Sequence, residues 1–557
     1  MIHVSGAIEF DQSDRLRFFL DYWKRVAFTL YQQLDPASRH IFIAFHHPEW
    51  SGPAIERVKA SDAAIRICHD SERNPSHPFD FTFRFSSLNN LMRIESAAPG
   101  LRPIYYFRKQ SLFVYSTDLF ELRKLLGQGT PDPIATASLI GLGRIVGNRT
   151  LCQEIRRLPE GNVHIIRREC IESFIEERLP IGDPIKADVC LCAARFRKAL
   201  DHRLESPTGG TWIPLSGGLD SRAVLSCVSR PGIVSYTRGS RRSDEAGIAA
   251  QAAGVMSLPH YHFEFPRNYL EEFSQRIIRS TGGSISIDDS HAMYPCDTLR
   301  DRGAQTVIPG IGGEYGRNFW KISGSDDESG DDQEALGRII FAKENRLDPK
   351  CIQGSILHYE DALQTMEEEY LDGFMNAAKQ SLSASKTTVL DEFYLFNRIR
   401  TFTIFGSLIW GRYFHVILPF LEPSYLAAIR RLPAANRQLP SVHAKILDAG
   451  APKLASIRLE PSGNIPANGF KPSKLWLMSR FLRRMVPGML LPAQNYIRLL
   501  RNSRRFVEEI LYSKREDLDA IVSIPRIRKT WRQKRLSRRD AQQISRFMTV
   551  ALFWENR

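Results

Sequence analysis

The chain has 557 residues and a mass of 63.6 kDa, room for two to four domains. With 43% hydrophobic and 25% charged residues it is not a disordered chain, a coiled coil or a collagen-like repeat. The net charge of +14 is uneven: residues 471–557 hold 21 Lys and Arg against 7 Asp and Glu, and the other 470 residues hold 55 of each sign. A basic end of this kind suits an acidic partner (peptide, protein or nucleic acid) or is a solvated helical surface.

In chain order, the first 180 residues read as an α+β domain rich in strands. Ile2–Phe10, Ile41–Phe45, Phe79–Phe85, Ile104–Phe107, Leu112–Ser116 and Asn162–Arg167 are β-branched and aromatic runs broken by turn residues. Helices are expected at Leu16–Leu34, Thr117–Leu126 and Ile134–Leu142. After the linker Pro180–Pro184 the pattern becomes helix and strand in alternation. It runs helix Val189–Leu204, strand Thr211–Leu215, helix Leu219–Cys227, strand Gly232–Thr237, helix Asp244–Gly254, strand His260–Phe263 and helix Asn268–Arg279. Such alternation predicts a parallel sheet covered by helices, an α/β domain over residues 184–460. Within it, 320–335 is an acidic stretch expected to be a mobile loop, with six acidic residues between Ser323 and Glu334. Residues 461–557 form a basic, helical C-terminal extension.

The start has no basic segment followed by a long apolar run, so no secretory signal is expected. The longest strongly apolar stretch, Phe402–Trp410, is short for a bilayer. A cytoplasmic protein without a membrane partner is expected. None of the eight cysteines forms a CxxC pair, and no zinc-ligand spacing is visible, so reduced thiols and no structural metal are expected. Cys190 and Cys192 should point to different faces of their helix.

The chemistry-bearing segment is Leu215-Ser216-Gly217-Gly218-Leu219-Asp220-Ser221. A short apolar strand runs into a Ser-Gly-Gly loop, and a helix starts at once. Two glycines allow close backbone approach, and the loop N–H groups, two hydroxyls and the helix N-terminus all favour an anion. Asp220 beside that anion would be repulsive without a bridging divalent cation, which points to a phosphate with Mg²⁺. The loop lacks the lysine of the G-x-x-x-x-G-K-[ST] motif.

This segment resembles the pyrophosphate-binding loop of the asparagine synthetase family and other PP-loop ATP pyrophosphatases. In those enzymes ATP adenylates a carboxylate, and an amine then displaces AMP. Other segments resemble the family in the same order. Ser235–Gly239, with Thr237, is similar to the strand over the adenine. Pro309-Gly310-Ile311-Gly312-Gly313-Glu314 resembles the second loop, with Glu314 in place of the Asp that helps hold Mg²⁺. Leu418–Glu422 resembles the R-V-P-F-L-D segment. Arg102–Tyr106, Tyr115–Asp118 and Leu158–Gly161 resemble the late part of a glutaminase-type (Ntn-type) domain. The resemblance spans about residues 1–460 and implies an Ntn-type sandwich domain at 1–180 before the PP-loop domain. It also implies ATP and Mg²⁺ as cofactors. Leu215, Ser216, Gly217, Gly218, Asp220, Ser221, Thr237, Gly310 and Gly312 would line the nucleotide, and Asp220 and Glu314 would hold the metal.

The departures from the family set the substrate reading. The family's glutaminase uses a cysteine at position 2, where this sequence has Ile2 and where the first cysteine is Cys68. Ile311 stands where asparagine synthetases carry Glu and β-lactam-forming relatives Tyr. In this resemblance His415 stands in place of a family Glu and is a candidate general base or a packed core histidine. Lys445, Lys471 and Lys474 are candidates for the cation that neutralises the adenylation transition state. A glutaminase-like domain without its nucleophile, beside an intact ATP loop, resembles lasso-peptide macrolactam synthetases (lasso cyclases). There a precursor peptide supplies both the carboxylate and the amine, with a leader-peptide-binding protein and a cysteine protease in the same pathway. The alternatives are a small-substrate ligase (ammonia-dependent asparagine synthetase or β-lactam synthetase type), an RNA-modifying PP-loop enzyme, for which no RNA-binding motif is visible, and a silent scaffold.

Overall fold

The computed structural model describes residues 100–174, 188–320, 333–457 and 496–555 with short gaps, and before residue 100 the strand segments. The aromatic and β-branched runs of the first 180 residues form two six-stranded antiparallel sheets. One is ordered Arg156–Arg157, Tyr105–Lys109, Leu112–Ser116, His3–Glu9, His40–Phe45, Gln33–Leu34. The other is ordered Ile171–Phe174, Val163–Ile166, Leu91–Ser96, Phe81–Ser86, Ala63–Ile67, Ile55–Val58. All six expected runs are strands. Ile55–Val58, Ala63–Ile67, Leu91–Ser96 and Ile171–Phe174 were not expected, because charged residues break up these short runs. The expected helix at Leu16–Leu34 lies outside the described residues, except that Gln33–Leu34 pairs as a strand with Ile41–Phe42.

Helix α1 (Leu119–Leu126) begins at Asp118, whose carboxylate accepts from Phe120 N. Helix α2 (Pro133–Leu142) begins at Asp132, whose carboxylate accepts from Ala135 N, and has Pro133 in its first turn. α2 ends at Gly143, in the left-handed region at φ 74°.

The linker Pro180–Pro184 lies outside the described residues. Beyond it come α3 (Val189–Arg203), α4 (Leu219–Cys227), α5 (Asp244–Val255) and α6 (Tyr269–Thr281), interleaved with β1 (Thr211–Pro214), β2 (Ile233–Arg238) and β3 (His260–Phe263). These bounds follow the hydrophobic spacing closely. On α6, Leu270, Phe273, Ile277 and Ile278 are buried. On α5, Ser243 caps the N-terminus through Ala246 N, and Asp244 and Glu245 occupy the positive first turn. Cys190 is exposed and Cys192 buried on α3, as their spacing requires.

Two short strands, β4 (Thr306–Val307) and β5 (His415–Val416), complete a parallel sheet in the order β3-β2-β1-β4-β5. The chain builds outward from β1 to β3 and then returns to the other side of β1. The order therefore reverses between β1 and β4, and the crevice at the carboxyl ends of those two strands is where an α/β sheet of this topology binds ligands.

Helix α7 (Lys386–Phe393) continues through a π-helical stretch, Tyr394–Thr403, into α8 (Ile404–Trp410). Wide turns of this kind are rare and often sit at functional sites. Helix α9 (Ser441–Gly450) packs on α3 and α4. The C-terminal helix α10 (Arg538–Glu555) packs on α6 and α2 and buries Ile544, Phe547, Met548, Ala551 and Leu552. Arg546 on α10 donates to the carbonyls of Ile140 (2.8 Å) and Gly141 (3.1 Å), the last turn of α2. A Cβ on Gly143 would lie 2.7 Å from Arg546 Nη2. Arg123 on α1 donates 2.6 Å to Phe553 O and lies 4.3 Å from the Trp554 ring centroid. The C-terminal helix is therefore fastened to both preceding parts of the chain. No helix of the described residues is long and apolar enough to cross a membrane.

Candidate functional site

The first loop leaves β1 at its carboxyl end. Leu215 N donates to Tyr236 O, and the buried Thr237 hydroxyl donates back to Leu215 O at 2.8 Å, which pins the loop to β2. Ser216 N donates to Ser221 Oγ, the two hydroxyls lie 3.0 Å apart, and Gly218 N donates to Ser216 Oγ. Gly218 begins α4 in extended geometry with no side-chain cap. The leading N–H groups of α4 are thus left for an anion. Arg222, fully buried, bridges Gly217 O and Ile457 O at 2.8 Å each.

The second loop leaves β4 and crosses the first. The contact is so close that side chains are excluded. A Cβ on Gly310 would lie 2.8 Å from both Asp220 C and Ser221 N, and one on Gly313 would lie 2.3 Å from Asp220 Oδ1. Gly312 has φ +92°, and its Cβ would lie 2.7 Å from Leu421 Cδ2, so the third segment, Leu418–Glu422, closes on the same loop. Ile311 is an apolar neighbour of Gly406 on α8. The loop is anchored below by Tyr394, which donates to Glu314 Oε2 (2.9 Å), and by Tyr315, which donates to Glu392 Oε1 (2.9 Å). The Glu392 carboxylate also accepts from Arg430 at 2.9 Å.

Two carboxylates thus meet at the crossing. Arg317 Nη2 lies 2.8 Å from Asp220 Oδ1 and 2.9 Å from Oδ2, and His443 Nε2 lies 2.8 Å from Oδ1. Burial alone would raise the Asp220 pKa, but Arg317 and then His443 outweigh it and hold the carboxyl below its usual range. Glu314 goes the other way, raised by burial and by the Asp220 charge. The His443 imidazole, stacked on Phe420 with centroids 5.2 Å apart, is held below its ordinary pKa by burial and by Arg317.

This donor set fits a magnesium ion. Mg²⁺ takes one or two carboxylates and completes its shell with phosphate oxygens and water, and Asp220 and Glu314 are two half-buried carboxylates near enough for the Asp220 charge to add to the effect of burial on Glu314. Among the described residues no group of three or more His, Cys, Asp or Glu forms an all-protein cage.

The structure brings together Leu215, Ser216, Gly217, Gly218, Asp220, Ser221, Thr237, Gly310, Gly312 and Glu314. It does not bring His415 or Lys445 to them. His415 starts β5 and pairs with Thr306, which pairs with Thr211 at the amino end of β1. That is four residues below Leu215, about 13 Å along the strand. Lys445 is exposed, two positions after the buried His443 and so on another face of α9. Ile2, Lys471, Lys474 and residues 321–332 of the acidic stretch lie outside the described residues. Arg317 and His443 were missed because neither belongs to a motif; both reach Asp220 from distant parts of the chain. The pair of buried Asp288 and half-buried Asp289 was also missed. Burial and the charge of Asp289 push Asp288 up to about 7.

Residues 193–314 match the asparagine synthase family. The matched span starts on α3, includes the whole first loop, and ends on Glu314. It therefore holds both carboxylates of the crossing. The match supports an ATP-dependent ligase that forms an amide, and it agrees with the parallel five-stranded sheet. No curated protein matches the sequence significantly.

Proposed function

We propose that this protein adenylates a carboxylate with ATP, releases pyrophosphate and joins the activated acyl group to an amine, and that both groups belong to one precursor peptide. The observation that carries the reading is the crossing of two glycine loops at the switch point, with Asp220 and Glu314 at their ends. The Ser216 and Ser221 hydroxyls and the uncapped α4 N-terminus would bind the departing pyrophosphate. Asp220 and Glu314 would hold Mg²⁺, which when bound neutralises phosphate charge. The peptide carboxylate attacks the α-phosphorus, and pyrophosphate leaves. The peptide's N-terminal amine then attacks the acyl carbon, AMP leaves, and the amine proton passes to solvent.

Ile311 places an apolar side chain where asparagine synthetases and β-lactam-forming relatives carry Glu and Tyr, which favours a substrate that brings its own amine. A prefolded peptide presents that amine at high effective concentration. The N-terminal part is read as a glutaminase-like domain that makes no ammonia. A leader-peptide-binding protein and a cysteine protease would supply the trimmed precursor, and exposed cations such as Arg498, Arg501 and Arg505 would attract an acidic one. The family match itself favours the second reading, an ammonia-dependent asparagine synthetase or a β-lactam synthetase type on a small substrate.

Mass spectrometry of a trimmed candidate precursor with enzyme, ATP and Mg²⁺ decides between them. The expected product is lighter by one water, with AMP and pyrophosphate released. An unchanged peptide, alongside ligation of aspartate with ammonia, would replace the peptide reading with the small-substrate one.

A further inference from the structure

We propose that Arg317 exchanges partners during the reaction: it holds Asp220 in the nucleotide-free protein and moves to the phosphate chain when a divalent cation and ATP enter. The inference rests on the ATP-ligase reading above and assigns the cation which that reading lacked.

The geometry argues for exchange over a fixed ion pair. Arg317 Nη2 is nearly equidistant from both oxygens of Asp220, at 2.8 and 2.9 Å. The guanidinium thus covers both oxygens of a carboxylate that would help to hold a divalent ion. A divalent ion on Asp220 would compete with Arg317 for the carboxylate and repel the guanidinium, which favours its displacement.

The side chain is tethered for such a move. Arg317 Nε donates to Gly313 O at 2.8 Å, within the second loop itself. Release of Asp220 therefore leaves the guanidinium anchored at the loop crossing, beside the α4 N-terminus. Asp220 is the second residue of α4, so a group touching it is already at the edge of the phosphate cradle. A planar guanidinium suits phosphate oxygens, and it keeps its charge at any working pH. Of the lysines considered for this role, Lys445 faces solvent.

The test is a Mn²⁺ titration followed by the electron paramagnetic resonance signal of the free ion, on the wild-type full chain, Arg317→Gln and Arg317→Lys. It is run without nucleotide and with α,β-methylene-ATP. With Mn²⁺ alone, Arg317→Gln should bind about tenfold more tightly, since the competing charged hydrogen bonds are gone. With the analogue present it should bind the Mn²⁺–nucleotide pair about tenfold more weakly, since a phosphate partner is gone. Arg317→Lys should fall between wild type and Arg317→Gln in both, and it decides the matter if Arg317→Gln does not fold. Changes of the same sign in the two titrations, or no loss of nucleotide affinity, would make Arg317 a fixed counter-ion and overturn the proposal. Failure of the wild type to bind Mn²⁺ with the analogue would instead overturn the ligase reading.

Discussion

Gly313→Ala tests the loop crossing most directly. The added Cβ would lie 2.3 Å from Asp220 Oδ1 and 2.5 Å from its Cγ, so the carboxylate must retreat by about 1 Å to reach ordinary contact. A displacement of that size at a reacting centre costs about 100-fold in rate. The carboxylate can rotate but Asp220 Cβ, at 2.7 Å, cannot, so the loss of stability should fall near the middle of the ~1–3 kcal/mol typical of overpacking. Gly310→Ala is the informative partner. Its Cβ meets Asp220 C and Ser221 N at 2.8 Å, backbone atoms at the start of α4 that cannot rotate away. That variant should lose more stability, toward the upper end of the same range of about 1–3 kcal/mol. Gly247→Ala, on the exposed side of α5 with open space around it, is the control and should be more stable by about 0.5–1 kcal/mol. Pyrophosphate release measures rate, and urea midpoints measure stability. Wild-type pyrophosphate release by Gly313→Ala would refute the reasoning, because the crossing would then not set the position of Asp220.

Two further outcomes follow from groups outside the crossing. Asp288 is raised from 3.8 to about 7, first by burial and then by Asp289, so its stabilising contribution is full below its unfolded value and is lost as pH rises through about 7. Its contribution to the melting temperature should therefore fall between about pH 4 and pH 7 and level off above, and Asp288→Asn should flatten that fall; equal slopes in both proteins over this range would remove Asp288 as the cause. Arg123→Met should lower stability by about 1–3 kcal/mol, because the Phe553 carbonyl loses its charged donor and Trp554 loses its cation. An unchanged urea midpoint would show that the C-terminal helix is held without it.

The α/β half of the fold is legible in the sequence because its signals are local. α4 starts and ends where the apolar spacing and the Gly-Gly loop place it, and β3 is bounded by the turn residues on either side. The first loop is legible for the same reason, as its glycines, hydroxyls and Asp220 are contiguous. What could not be read is what depends on chain crossing. Gly313 is legible as part of the second loop, but not that a Cβ there would lie 2.3 Å from Asp220 Oδ1. Tyr394 becomes relevant only because a π-helical stretch aims its hydroxyl at Glu314, 80 residues earlier in the chain. His415 illustrates the reverse error. Its place beside a family-like segment suggested chemistry, while strand register puts it at the amino end of β5, the opposite end of the strands from the loops.

The basic C-terminus shows why a charge count is a poor guide to a binding surface. Arg546 is engaged with the carbonyls of Ile140 and Gly141, Arg515 with Ala551 O, and Arg528 with Leu511 O at 2.6 Å. These guanidiniums terminate helices or brace them within the chain, and such pairs are screened by salt much less than exposed ones. Arg498, Arg501, Arg504 and Arg505 are exposed on the helices that precede α10, although Arg501 also donates to Lys534 O at 3.0 Å and Arg504 pairs with Glu508 at 2.8 Å. Any acidic peptide drawn to this end must meet the second group, so salt should weaken its association while leaving the docking of α10 nearly unchanged. α10 also has a task nearer the chemistry. Thr549 Oγ1 accepts from Ile287 N, and Tyr496 donates to Asp289 at 3.5 Å, so the C-terminal helices hold the segment that leads into β4 and the second loop. The part of the chain with the fewest recognisable motifs is thus a support of the site that the motifs define.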